Sequence, residues 1–332
     1  MIAIAGVSAA DTAFATFWVA LAVKIVAVLG FFLVFPLVVG YIEHKTLAHM
    51  QGRLGPMEAG KFHGWAQLIA DGVKFVQKEQ VTPTAADSWV FALAPGVALV
   101  PYIVVFVVIP FSDSLFAVNL DAGIFFVIAA TGVSVIGVLM AGWASANKFS
   151  LIGALRAAAQ LIAYELPLIL AAAAVVMQAE TLSLVGIVES QHHYWYVLTQ
   201  PIGFVIFFMA AIAELTRPPF DMPVADSEII FGAYTEYGGI KFAFFMLAEY
   251  GGIVALSAIT TVLYLGGYLG PGLPAPVWML VKTTFLAFCI IWFRATWPRM
   301  REDQLQRFAW VVLIPLALAN IMVTAVFKVA VK

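Results

Sequence analysis

The sequence predicts an all-α polytopic membrane protein: about eight transmembrane helices, an amphipathic surface helix, and both termini on the outer, periplasmic side. Three observations lead there. The 332 residues are 63% hydrophobic and only 11% charged, with a mean hydropathy of +1.00. Apolar runs near the length of about 20 residues that a bilayer demands recur along the chain. The few lysines and arginines gather in a handful of connections. Porin-type barrels would instead show alternating segments of roughly ten residues, and none are present.

The expected spans are 15–42, 89–110, 122–145, 158–178, 199–214, 241–267, 276–297 and 309–330. The opening stretch MIAIAGVSAADTAF carries no basic residues ahead of an apolar core, so the first span is expected to serve as its own insertion signal. Residues 1–332 read as a single integral membrane domain with no inverted repeat. The connections 43–88, 146–157, 215–241 and 294–308 hold thirteen of the seventeen lysines and arginines. Basic connections stay inside, so these are expected to face the cytoplasm. Lys24 and Lys282 lie near span ends and are expected to snorkel outward.

The cytoplasmic loop 43–88 contains an expected amphipathic helix at 61–80. There Phe62, Trp65, Leu68, Ile69, Val73 and Val76 recur at helical spacing, with Lys61, Gln67, Asp71, Lys74 and Lys78 mostly opposite. Such a helix lies at the membrane surface. Its neighbour, EHKTLAHMQGRLGP (43–56), reads as a structured loop ending in a Gly-Pro stop.

Redox centres are expected elsewhere. One cysteine, Cys289, allows no disulfide framework and no thiolate-ligated cluster from this chain alone. The histidines His44, His49, His63, His192 and His193 all fall outside the expected spans, which argues against an intramembrane haem. Dinucleotide, Walker and zinc-protease motifs are lacking. No iron–sulfur cluster, flavin, haem or metal is therefore expected here, and no nucleic-acid partner.

Acids carry the chemical signal. Within the 23 residues from Glu214 to Glu236 lie five carboxylates, in an acidic cytoplasmic loop spanning 214–241. Glu165 and Glu249 fall inside expected spans, where an ionised carboxylate costs about 2.5–3.5 kcal/mol on insertion scales and normally faces a bundle interior or a wet path. Carboxylates crowded into low dielectric cannot all ionise and titrate as coupled groups, as a proton relay requires. The plainer reading is that individual acids cap helices or pair with Arg217, Lys241 and the arginines at 294–307.

Several segments together resemble one family. TRPPFDMPVADSE and TEYGGIKFAFFMLAEY are similar to the signature loop of the H-subunit family of proton-pumping NADH–quinone oxidoreductases, complex I. EHKTLAHMQGRLGP, ADGVKFVQKE, SANKFSLIGALRAAAQLIAYE and WPRMREDQL resemble further segments of that family, in the same order. The resemblance implies a helical subunit at the junction of membrane and peripheral arms, in a bacterial cell membrane, with quinone as substrate. Its implied partners are quinone-module subunits bearing the terminal iron–sulfur cluster, small and antiporter-like membrane subunits, and lipid. It implies a quinone-tunnel entrance at Glu43, Lys45, Arg53, Asp71 and Lys74, with Phe220 near its upper wall. It implies a proton-coupling path of Glu165, Glu214, Asp221, Asp226, Glu228, Glu236 and Glu249, with Arg217 as a loop-ordering counter-charge. No catalytic residue is expected in this chain alone.

Departures stand out. His44 replaces the family's usual arginine, Met57 its asparagine, and Val224 and Asp226 replace two glutamates of the acidic loop. Two other readings remain open. One is a homologous subunit in a complex with a non-NADH donor or in a membrane-bound hydrogenase. The other is a solitary cation–proton antiporter.

Overall fold

The computed structural model describes residues 9–224 and 226–331, with side chains described for 17–224 and 228–330. The helices are α1 (Ala9–Met50), α2 (Gln67–Gln77), α3 (Ser88–Val105), α4 (Gly123–Ala144), α5 (Lys148–Ala179), α6 (Leu184–Glu189) and α7 (Tyr196–Thr199). Then follow α8 (Pro201–Glu214), α9 (Asp226–Ile229), α10 (Gly239–Tyr264), α11 (Ala275–Thr296), α12 (Glu302–Arg307) and α13 (Ile314–Val331). Among the described residues there are no strands. Seven helical stretches are long and apolar enough to cross a membrane, and α8 is a shorter apolar helix.

Side-chain caps mark several starts. Asp87 accepts from the Val90 amide at α3, Asn147 from Phe149 at α5, and Ser183 from Gly186 at α6. At the far end of α5, Glu180 in the left-handed region stops the helix. Small residues set the packing between spans: Ala94 and Ala98 of α3 face Ala141 and Ala144 of α4, all buried. Close backbone approach supplies van der Waals contact where lipid offers no hydrophobic drive. Helix α10 is the hub, buried continuously from Gly251 to Tyr264 and packed on α1, α3 and α11.

Four expectations change. Helix α1 runs unbroken through Pro36 to Met50, so the 43–50 segment is helix rather than loop. The reason is local: nothing in EHKTLAHM breaks a helix, and the first breaker is Gly52, at φ +70°. Helix α5 begins ten residues before the expected 158, because the polar connection propagates from its Asn147 cap. The surface helix is confined to Gln67–Gln77, since Gly60, Lys61, His63 and Gly64 all take positive φ and hold the preceding chain in an irregular loop. Within α2, Phe75 packs toward Phe242 of α10, with ring centroids 5.7 Å apart, while Ile69, Val73 and Val76 are exposed.

Lys282, the fourth, does not snorkel. Its ammonium turns inward and donates to the carbonyls of Leu265 (2.7 Å), Gly267 (2.9 Å) and Leu269 (2.6 Å), lying 4.3 Å from the Trp195 ring centroid. Positive φ at Gly266 and Gly267 curls the α10–α11 turn so that these carbonyls converge. A lysine inside a span is tolerated when backbone oxygens replace its water. Lys24 instead donates to the Ala117 carbonyl at 2.7 Å.

Candidate functional site

Where α1, the end of α8, α10 and the end of α11 meet, four charged side chains form a ladder whose central pair is buried. Arg217 follows α8 by a tight turn in which Thr216 takes a φ of +52°. That turn points the guanidinium back into the bundle, where Arg217 is 2% exposed. Its Nη1 donates to both carboxylate oxygens of Glu43, at 2.7 and 2.9 Å, and Glu43 is itself 1% exposed. Its Nε lies 2.5 Å from Glu249 Oε1, outside hydrogen-bonding angles, so that contact is Coulombic. The Tyr250 ring covers the guanidinium, 5.1 Å from ring centroid to Cζ. Arg294, at the end of α11, pairs with Glu43 from the other side. The order is therefore Glu249–Arg217–Glu43–Arg294, with signs alternating.

Burial, the largest single influence on Arg217, works against its charge, but Glu249 and Glu43 outweigh it and hold the guanidinium more firmly protonated than usual. One arginine thus bridges a residue expected at the quinone entrance, Glu43, and one expected on the acidic path, Glu249. In the sequence those two sets stood apart.

Against this ladder opens a cavity of about 240 Å³, lined by Glu214, Arg217, Asp221, Val224, Glu249 and Arg294 among others, and walled by Tyr102, Ser134 and Tyr234. Deeper in the bundle, Glu214 sits beside Thr131 of α4 and within electrostatic reach of Glu165. Glycine makes that approach possible: Glu165 Oε1 lies 3.1 Å from where a Cβ on Gly132 would be. At the cavity rim, burial first, then the charge on Glu249 and the neighbouring Tyr102, push the Tyr234 phenol above its ordinary range.

The acidic loop is tied down from several sides. Gln160 of α5, fully buried, donates to the Ala213 carbonyl (2.7 Å) and the Phe220 carbonyl (2.6 Å), fastening the end of α8 to the start of the loop. Met300 donates its amide to the Pro219 carbonyl at 3.0 Å. Phe220 is wholly buried between Tyr164 and Phe308 rather than on the cavity wall. Glu228 pairs with Arg156 at 2.5 Å and Arg299 at 3.5 Å. The Arg156 hydrogen bond, with both guanidinium charges, holds the Glu228 carboxyl below its ordinary range. Glu236 accepts from Asn147 Nδ2 at 2.6 Å, linking the loop to the α5 cap. The Asp226 side chain lies outside the described residues.

The remaining entrance residues lie apart from the cavity. Lys45 donates to the carbonyls of Leu54 (3.3 Å) and Pro56, folding the 51–57 turn onto α1. Arg53 is exposed and bonds Gln51 at 2.9 Å. Asp71 accepts from Gln67 at 3.0 Å and lies 3.6 Å from Lys74. Gln160, Arg156 and Tyr102 were not singled out from sequence, and Arg294 was named only among the arginines that could pair with an acid. Gln160 had a visible signal, an amide inside an apolar run, which seldom occurs without a polar partner. Among the described residues, no group of three or more histidine, cysteine or carboxylate side chains is arranged to hold a metal.

The fold and the charged interior define a multi-pass helical membrane protein with an ion-pair ladder, buried at its centre, beside a carboxylate-lined cavity. Residues 23–325 match the NADH dehydrogenase family, and the chain belongs to that family. It is 47% identical over 291 residues to a protein of Bacillus mycoides (strain KBAB4) named as the H subunit of NADH-quinone oxidoreductase, covering 86% of this chain and 87% of that one. Proteins of the same name from Geobacillus kaustophilus (strain HTA426), at 46%, and Bacillus anthracis (strain CDC 684 / NRRL 3495), at 47%, match over the same shares.

Proposed function

We propose that this chain is the membrane subunit at which quinone reduction in an NADH–quinone oxidoreductase is coupled to charge movement. The observation that carries the reading is the sharing of Arg217 between Glu43 and Glu249. Reducing a quinone consumes two electrons and two protons, so its neighbourhood must change charge during turnover. In low dielectric such a change acts strongly on groups a few ångströms away. A guanidinium held by two carboxylates relays it without travelling: whichever carboxylate is neutralised, the arginine's attraction falls on the other. Electrons come from iron–sulfur centres in peripheral partner subunits, and quinone is substrate rather than resident cofactor.

On this reading Glu43, Lys45, Arg53, Asp71 and Lys74 form the approach for quinone, with Phe220 supporting its upper wall. Glu249, Asp221, Glu214 and Glu165 form the inward path, while Asp226, Glu228 and Glu236 shape its mouth. Both termini face outward and the acidic loop inward, as the distribution of basic residues supports. Small and antiporter-like membrane subunits receive the signal.

The test has two parts. Affinity isolation of the tagged chain from its own membrane is expected to bring iron–sulfur and antiporter-like subunits with it. In that complex, Asp221→Asn is expected to depress quinone reduction and proton pumping at normal abundance. A chain isolated alone, or an unimpaired variant, overturns the corresponding part of the reading.

A further inference from the structure

In the cavity lined by Glu249 on α10 and Glu214 at the end of α8 stands a phenol that the acid-based reading leaves unused. We propose that the Tyr102–Ser134 hydroxyl pair is the proton bridge between Glu249 and Glu214, an inference that rests on the acidic-path reading above.

The two hydroxyls are placed for it. Tyr102 of α3 is 6% exposed and Ser134 of α4 is 7% exposed. Their hydroxyl oxygens lie 3.2 Å apart, and both line the cavity that holds the two carboxylates. Each of those carboxylates acts electrostatically on the Tyr102 hydroxyl.

The ring is also held in place. A Cβ on Gly252 would lie 3.1 Å from both Cε1 and Cζ of Tyr102 and 2.7 Å from Leu215 Cδ2. The ring therefore lies against α10 at the residue one turn beyond Glu249, and close to the residue that follows Glu214. Such a wedge fixes the ring in the cavity that the two acids line. A tyrosine serving only as packing needs no oxygen there, and a buried phenol without a polar task is costly.

The proton count closes. Glu249 in its protonated form gives a proton to the hydroxyl pair as the pair gives one to the Glu214 carboxylate. Glu249 ends as carboxylate, Glu214 as carboxylic acid, and both hydroxyls are neutral before and after. Rotation of the hydroxyls resets the pair. Hydroxyls suit this role because each both donates and accepts.

The experiment uses the assembled complex in sealed membrane vesicles, with quinone reduction and proton pumping measured together. Tyr102→Phe keeps the ring and removes the oxygen. It is expected to lower turnover and pumping by up to about tenfold, the upper end of what one neutral hydrogen bond contributes, with the quinone KM unchanged. Ser134→Ala is expected to fall in the same direction and Ser134→Thr to restore activity, which a packing role would not predict. Wild-type turnover and pumping in both Tyr102→Phe and Ser134→Ala overturn the bridge. If Tyr102→Phe blocks assembly, the serine pair decides: Ser134→Ala indistinguishable from wild type overturns it. Glu214→Gln separates the two levels. If Glu214→Gln pumps normally, the acidic path itself is wrong and the bridge falls with it. If Glu214→Gln fails while the hydroxyl variants work, only the bridge is wrong.

Discussion

Replacing Arg217 by methionine isolates the energetic role of the ladder. Methionine keeps much of the apolar stem but removes the charge that satisfies two carboxylates. Glu43, 1% exposed, would keep only Arg294, whose side chain is 38% exposed and partly engaged with solvent. Glu249, whose side chain is 28% exposed, would lose its 2.5 Å contact. Removing one partner of a buried ion pair costs about 3–5 kcal/mol, or roughly two to nearly four powers of ten in an equilibrium constant. Arg217→Lys should recover part of this, since an ammonium keeps the charge but not the two-pronged geometry. The assay is the abundance and thermal midpoint of the assembled complex on native gels, run as a double-mutant cycle with Glu43→Gln. Because Glu43→Gln removes the charge that Arg217→Met strands, the double variant should be less damaged than the sum of the singles. Strictly additive losses, or a normally abundant and stable Arg217→Met complex, would refute the claim that the ladder acts as one unit.

Two further outcomes follow from the loops. Lys282→Met strips the donor from three carbonyls and should destabilise the α10–α11 turn by about 1.5–3 kcal/mol, read as a lower thermal midpoint of the complex; an unchanged midpoint would mean that water replaces the ammonium freely. For Glu228, the depressed carboxyl pKa makes its clasp to Arg156 fully present above the ordinary glutamate range and lost as pH falls through the lower folded value. Because the pair is half exposed, its worth is below about 1 kcal/mol. Protection of the acidic loop, measured against the intrinsic exchange rate at each pH, should therefore fall on acidification in wild type, and should already be reduced at neutral pH in Glu228→Gln; equal protection in both at neutral pH would remove the clasp.

The membrane fold was legible because span length and apolar content are local properties of sequence, and each expected span has a helical counterpart. Helix ends were less legible. The extension of α1 to Met50 and of α5 back to Lys148 depends on the absence of breakers in polar segments, which hydropathy does not register. Pairings were least legible of all. Glu43 and Arg217 are 174 positions apart, and Glu43 and Arg294 are 251 apart. Only the packing of α1 and α11 on α10 makes them neighbours. Lys282 misled for the same reason: its partners are carbonyls, which carry no sequence signature beyond the glycines that turn them.

The brevity of α8 has an electrical consequence. Its 14 residues rise about 21 Å, against the roughly 30 Å thickness of a bilayer's hydrocarbon core. Placed with its first residue at the outer boundary, as the proposed orientation requires, α8 leaves Glu214 roughly 9 Å short of the inner boundary, at the end of an indentation open to that side. Moving one charge through 100 mV is worth about 2.3 kcal/mol, and roughly a third of the thickness is already crossed in reaching Glu214, if the indentation is dry. If it is wet, the whole drop is concentrated below, and the field there is steeper by about half. Dry, a proton reaching Glu214 crosses part of the voltage and its occupancy responds to the energised state of the membrane; wet, the response moves to the step that carries the proton onward from this carboxylate.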